Sequence, residues 1–268
     1  MKDLKEFVGQ DKIVGRPLRL NRVELKVNKK GYAPLLFFGD LHLGHPQCAI
    51  KEAKEMLDWA LKERVQTLLM GDMIEAGLRE SVGESVYFQK LNPQEQIDAV
   101  VDLLIPLAEA GLIIGFHTGN HEWRITKQTS IDVGRLMANQ LKVSYCGYAG
   151  WHLLRVGSQN YTLYATHGAG GSRFKHTKLK TVVDLAGWIS ADVIAHGHLH
   201  GLAAEPIIKQ YIDLRDKTIK EGKCYAVLTG SYLGWQGSYA QNHNFPVPKI
   251  GSPKAKFLAD KKDVHFSL

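Results

Sequence analysis

Four apolar residues that run into a glycine and two metal-binding residue types, Leu35-Leu36-Phe37-Phe38-Gly39-Asp40-Leu41-His42, read as a strand buried on both faces whose carboxyl end delivers the polar groups. The pattern returns in Thr67-Leu68-Leu69-Met70-Gly71-Asp72. Between the two, Ala49, Ile50, Ala53, Met56, Leu57, Ala60 and Leu61 recur at three and four residues, which marks one face of an amphipathic helix. Strand, helix and strand make a β-α-β unit.

Further along, Asn92 is placed as an N-cap, with Pro93 at the first helical position and Glu95 at the third, before Ile97, Val100, Val101, Leu104 and Ile105. Gly111 supplies the stop, and Pro106 inside the pattern predicts a kink or a break. Leu112 to Phe116 then reads as a strand ending at Gly119-Asn120-His121, and Tyr161 to Thr166 as one ending at His167. A helix is marked by Leu179, Val182, Val183 and Ala186, and a strand by Val193-Ile194-Ala195 leading into His196-Gly197-His198. After a strand at Tyr225 to Leu228, the chain is rich in Gly, Pro and Lys and reads as loop and closing tail. Strands alternating with helices predict a layered α/β fold. We expect one domain over residues 1–268, its motif core at about 35–201, with a C-terminal strand, loops and tail over 202–268.

Composition agrees with a globular chain: of 268 residues, 44% are hydrophobic and 23% charged, which excludes disorder, collagen and coiled coil. A formal net charge of +7 favours anionic substrates without requiring nucleic acid. Cys48, Cys146 and Cys224 form no CxxC pair, so neither a disulfide framework nor a cysteine-rich zinc module is indicated. The start, Met1-Lys2-Asp3-Leu4-Lys5-Glu6, lacks a secretory apolar stretch, and no run of about 18 apolar residues occurs. The expectation is a cytoplasmic protein, bacterial or in the cytosol of a phage-infected host, with no membrane partner.

Five strand ends carry metal-ligand residue types: Asp40-Leu41-His42, Asp72, Asn120-His121, His167 and His198-Leu199-His200. Mixed oxygen and nitrogen donors without thiolate suit Mn²⁺, Fe²⁺ or Zn²⁺ in a catalytic site better than a structural zinc site. On an extended segment residues two apart share a face, so Asp40 with His42, and His198 with His200, can each converge.

These blocks, standing as Asp40-Leu41-His42, Gly71-Asp72-Met73-Ile74-Glu75, Gly119-Asn120-His121-Glu122, His167-Gly168 and Gly197-His198-Leu199-His200, resemble in order the calcineurin-like metallophosphoesterase superfamily. The resemblance implies an α/β four-layer α-β-β-α sandwich with mixed sheets. It implies a hydrolase with a binuclear metal centre, its two divalent ions about 3.5–4 Å apart, manganese first with nickel, iron and zinc as alternatives. Carried over residue by residue, Asp40, His42, Asp72 and His200 hold the first ion, Asp72 bridges, and Asn120, His167 and His198 complete the second. A hydroxide bridging the ions would attack phosphorus in line, with His121 as general acid or electrostatic support at the leaving oxygen.

A phosphodiesterase is the preferred reading. The alternatives are a phosphomonoesterase acting on nucleotides or small phosphates and, from another class, a nucleic-acid-binding module without hydrolysis. The partner is accordingly a phosphate ester, nucleotide and nucleic acid included. The protein Ser/Thr phosphatases of the superfamily carry Asp-Arg-Gly after the second block, whereas here Gly71-Asp72 continues Met73-Ile74-Glu75-Ala76-Gly77, and its repair nucleases read Gly-Asn-His-Asp where Glu122 stands, so both activities are disfavoured. With Ser81-Val82-Gly83 and His167 to Gly171, the chain is most similar to phage and bacterial members.

Around the blocks, Arg124, His45 and Arg173 are candidates for substrate binding, with Arg79 and Lys175 behind them. Glu75 orients a ligand or caps a loop, and Glu122 and His196 support ligands from behind. His117, His152, His176, His243 and His265 have no spacing partner and are expected to be structural or superficial. Trp188 is expected in the core, whereas Trp235 in its glycine-rich loop is the candidate for ring stacking. The glycines from Gly168 to Gly171 lack a P-loop ending and read as a turn.

Overall fold

The computed structural model describes residues 18–81, 85–237, 239–242 and 244–268; Val82, Gly83 and His243, named above, lie outside the described residues. Two mixed sheets of six strands form the body. The first contains β1 (Arg19–Glu24), β6 (Ala149–Val156), β7 (Gln159–Thr166), β8 (Val193–His196), β9 (Leu202–Asp213) and β10 (Thr218–Thr229), in the spatial order β1-β6-β7-β8-β10-β9. In the second are β2 (Tyr32–Phe38), β3 (Gln66–Leu69), β4 (Ile113–His117), β5 (Tyr145–Gly147), β11 (Lys254–Leu258) and β12 (Val264–Ser267), ordered β12-β11-β2-β3-β4-β5.

Strand β2 shows why an uninterrupted apolar run is needed. Leu35 and Phe37 point between the sheets, against Leu154, Leu163, Val193 and Val227 of the first sheet. Leu36 and Phe38 point the other way, into a core with α1 (Ile50–Lys62), α2 (Pro93–Glu109) and α4 (Val133–Gln140), through Ala53, Leu57, Val100, Leu104 and Met137. Each pair of alternate residues thus has its own apolar neighbour, and all four side chains are fully buried. On the far face of the first sheet, α5 (Lys175–Leu185) lays Val182 against Ile194, Ala226 and Leu228.

Parallel pairing of β2, β3 and β4, and of β7 and β8, sets five carboxyl ends side by side. The loops leaving β2 and β3 continue the parallel pairing, with Asp40 N–H donating to Gly71 O (2.9 Å) and His42 N–H to Asp72 O (3.0 Å). Gly71 makes the crossing possible: it has φ +88°, and a Cβ there would meet Gly119 N at 2.6 Å.

Several expectations need correction. Pro106 neither breaks nor ends α2, which runs from Pro93 to Glu109 with the Asn92–Glu95 capping box formed. Pro106 and Asp102 are both exposed, so water can take the carbonyl that the missing N–H would have served. The tail is not loop: β11 pairs with β2 and β12 pairs with β11, so β12 forms one edge of the second sheet. The tail's apolar signal is short and interrupted: Ala255 and Phe257-Leu258 about Lys256, then Val264 and Phe266 about His265. Strand β10 extends upstream of Tyr225 to Thr218 and pairs with β9 throughout, a hairpin whose outer half is exposed and has no apolar periodicity. Trp188 follows the end of α5 and is 72% exposed rather than buried. Among the described residues no helix is long and apolar enough to cross a membrane.

Candidate metal centre

Asp40, His42 and His200 form one group whose ligating atoms all lie within 4.8 Å of one another, and Asp72, His167 and His198 form a second. The groups adjoin, since His42 Nε2 is 4.0 Å from Asp72 Oδ2 and 3.1 Å from His200 Nε2. His200 Nε2 in turn lies 3.3 Å from Asp40 Oδ1, and Asn120 Oδ1 lies 3.0 Å from His167 Nε2. Asp40, His42, Asp72 and His167 are buried, while Asn120, His198 and His200 are half-buried at the mouth.

Backbone geometry brings Asp40 and His42 together by a route other than strand alternation. Asp40 (φ +48°), His42 (+52°), Asp72 (+49°), His198 (+61°) and His200 (+48°) all occupy the left-handed region that disfavours residues with a Cβ. His198 and His200, expected to converge on one place, fall instead into the two adjacent groups. Asn120 and His121 do not end a strand; they open α3 (Asn120–Thr129) in its first turn.

The two sheets are tied together across the centre. From the first sheet, His198 N–H donates to the Asp40 carboxylate (3.1 Å to each oxygen) and His167 Nδ1 to the carbonyl of Met70 (2.9 Å), which leaves His167 Nε2 facing Asp72. Glu122 is buried and accepts from the N–H groups of Gly119 (2.7 Å), Asp72 (3.1 Å) and Met73 (2.7 Å), so it fixes the loop that carries Asp72. A Cβ on Gly119 would meet Asp72 Oδ1 at 2.0 Å, which only glycine avoids.

Glu75 is buried too. Its carboxylate lies 3.1 Å from His42 Nδ1 and 3.4 Å from His121 Nδ1, which orients both rings. Arg124 donates to the carbonyl of Glu75 (2.9 Å), 3.6 Å from its carboxylate, and lies within 3.0 Å of both His121 nitrogens. Of the other expected substrate contacts, His45 stands at the rim with its Nδ1 accepting from Gln47 N–H (3.1 Å). Arg173 is exposed, its guanidinium 5.1 Å from the Phe174 ring centroid. His196 is buried with Nδ1 on Gly197 O (2.8 Å) and belongs to neither group. Tyr148, which no spacing singled out, donates to Gly168 O (2.7 Å) beside His167; an isolated tyrosine after a short strand gives no signal in sequence.

Electrostatics separates the histidines. Burial lowers both His42 and His167, but repulsion by His121 adds to it at His42, whose pKa falls to about 4. At His167 the Asp72 and Asp40 carboxylates outweigh burial and push the pKa up to about 10. Burial raises Asp72, but His167 and His121 more than reverse it and hold the carboxyl well below its usual range. Without a cation, His167 is therefore an imidazolium at pH 7. Its folded pKa lies above its unfolded one, so this ion pair's contribution to stability is complete below pH 6.5 and is lost as pH rises through about 10. Cation binding has the opposite slope, because a divalent ion must displace that proton. We expect at least one proton to be released per chain on Mn²⁺ binding at pH 7, read by calorimetry in buffers of different ionisation enthalpy. Zero release would remove His167 from the coordinating set.

A further group, His117, Cys146 and His152, also has ligating atoms within 4.8 Å. Its nitrogens are already engaged. Asn21 Nδ2 donates to Ile114 O (2.8 Å) and presents N–H to His152 Nδ1 (3.3 Å), while His117 Nδ1–H donates to Gly147 O (3.1 Å). With both ends fixed, His152 Nε2–H donates to His117 Nε2 across 2.9 Å. Burial keeps both rings neutral and pushes the Cys146 thiol up to about 11. This is a hydrogen-bonded chain joining the two sheets. His152→Leu strands His117 Nε2 and should cost about 1–3 kcal/mol of stability. A denaturant titration measures that loss, and metal content should stay as in the parent protein.

A scan of the chain against protein-family models gives no match, and a search of curated proteins gives none either.

Proposed function

We propose that the chain is a metal-dependent phosphoesterase of the calcineurin-like type, preferring phosphodiesters, with its sheets and outer helices as a four-layer sandwich. One observation carries the reading. Asp72 Oδ2 is a buried carboxylate oxygen without a hydrogen-bond partner among the described residues, and it is ringed by His167 Nε2 (3.2 Å), His121 Nε2 (3.7 Å) and His42 Nε2 (4.0 Å). Without a cation the His167 imidazolium compensates that oxygen's charge; three imidazole nitrogens and a second carboxylate around it are the donor set that a cation displacing the proton requires.

Asp40, His42, Asp72 and His200 would hold one ion; Asp72, Asn120, His167 and His198 would hold the other. When bound, such ions supply Lewis acidity at a phosphoryl oxygen and acidify water. The chain's own residues do the rest. Glu75 and Met70 O set the tautomers of His42 and His167 so that Nε2 of each faces inward. His121 Nδ1 is pinned by Glu75 O at 2.6 Å; its Nε2 lies 3.7 Å from Asp72 Oδ2 and 3.0 Å from Arg124, and would hold a proton for a leaving oxygen once Arg124 turns to phosphoryl charge. Arg124 keeps a guanidinium beside that ring, placed to meet phosphoryl charge.

The test is hydrolysis of bis-p-nitrophenyl phosphate by chelator-stripped protein with Mn²⁺, Ni²⁺, Zn²⁺ and Mg²⁺ restored singly. Diester turnover above that of p-nitrophenyl phosphate is the expected result. Turnover of the monoester alone would establish the alternative, and silence toward both in protein carrying two ions would overturn the reading.

A further inference from the structure

His198 and His200 face the centre on one side and a cleft of about 240 Å³ on the other, which extends away from the metal groups. That is more room than a phosphoryl group alone requires. The cleft's lining includes the rings of Trp235, Phe245, Pro246 and Pro248, with Leu233 beside them. The indole N–H of Trp235 donates to the carbonyl of Phe245 (2.7 Å), which fixes the two ring-bearing segments to each other. Ser172 and Lys178 line the same cleft.

Lys178 distinguishes this cleft from an ordinary apolar crevice. The lysine ion pairs among the described residues belong to Lys180, Lys220, Lys223 and Lys262, and Lys178 makes none. It is half-buried, and burial lowers its pKa. A partly desolvated ammonium next to a proposed phosphate site is stabilised by an anionic or acceptor-rich ligand.

We propose that this cleft is a subsite for a planar aromatic ring carried by the phosphate ester, held against Trp235 and Phe245 with its acceptor edge toward Lys178 and Ser172. The assignment rests on the phosphoesterase reading above, because the ring is placed by a phosphoryl group seated at His198 and His200. An aryl ester and a nucleotide share the chemistry that fits here, and the two are separable by experiment.

Calorimetric binding of methylphosphonate, phenylphosphonate and a 5′-nucleoside phosphonate to the Mn²⁺-loaded protein tests the subsite apart from turnover. Ring stacking predicts binding of phenylphosphonate about tenfold or more tighter than methylphosphonate. A further gain with the nucleoside identifies a base as the ring, and no further gain identifies a simple aryl group. In Trp235→Ala the ratio of the phenyl to the methyl dissociation constant should collapse toward one. Phe245→Ala provides the same comparison should Trp235→Ala not fold. Equal affinities in the parent protein, or no measurable binding of either small phosphonate, overturn the subsite. Diester hydrolysis under the restored metals reports separately on the phosphoesterase reading, so one can fail without the other.

Discussion

Asp72→Asn is expected to lose metal loading and to lower diester turnover by roughly three orders of magnitude, ~4 kcal/mol of transition-state stabilisation. The substitution is nearly isosteric and keeps an oxygen where Asp72 Oδ1 accepts the N–H of His121 (2.8 Å), so the first turn of α3 retains its anchor. What changes is Oδ2. An amide N–H₂ in its place points donors at His167 Nε2, 3.2 Å away, and removes the one oxygen that both groups of ligands can share. Elemental analysis of the purified variant alongside its melting curve separates loss of ions from loss of fold. A variant that folds and still carries two ions per chain would falsify the bridging role.

His121→Ala should behave differently. Its Nδ1 is committed to Glu75 O, and although His121 clusters with His42 and Glu75, it is absent from the Asp40–His42–His200 and Asp72–His167–His198 groups, and its Nε2 lies 3.7 Å from Asp72 Oδ2. Burial lowers its pKa, but Asp72 and Glu75 more than compensate, and the net shift is upward, in keeping with a ring that carries a proton. We expect two ions per chain to remain while turnover falls about 10²–10⁴-fold, the range for removal of a positioned acid. The pH profile should lose its alkaline limb as well, since that limb requires a protonated group. Ion loss matching that of Asp72→Asn would make His121 a ligand and end the acid assignment.

How much of this was legible in the sequence depends on which force sets each feature. Strands β2 and β3 and helix α1 were readable because burial on both faces writes an uninterrupted apolar run and a three-four periodicity. Asn92 and Glu95 were readable because capping is local chemistry. The tail strands were not, since β11 is held by pairing with β2, more than two hundred residues earlier, and long-range pairing leaves little trace in a five-residue segment. In the centre, the blocks named the side chains and placed Glu75 and Glu122 beside them as supports, but which groups each would hold was not written in sequence. Their roles follow from which N–H groups the folded loops turn toward them. Trp188 illustrates the reverse case, an aromatic placed after an apolar helix face that the chain nonetheless turns outward.

The left-handed backbone at Asp40, His42, Asp72, His198 and His200 sets a conflict between two kinds of selection. Such conformations cost residues with a Cβ about 1–2 kcal/mol each, and glycine avoids that cost. At Asp40, His42 and Asp72 the buried hydrogen bonds and ion pairs oppose that gain, so a library sorted for protease resistance alone should drift toward glycine first at half-buried His198 and His200, and go blind to its substrate as it does. Any programme to harden the protein has to sort for turnover in the same round, or hold those five codons fixed.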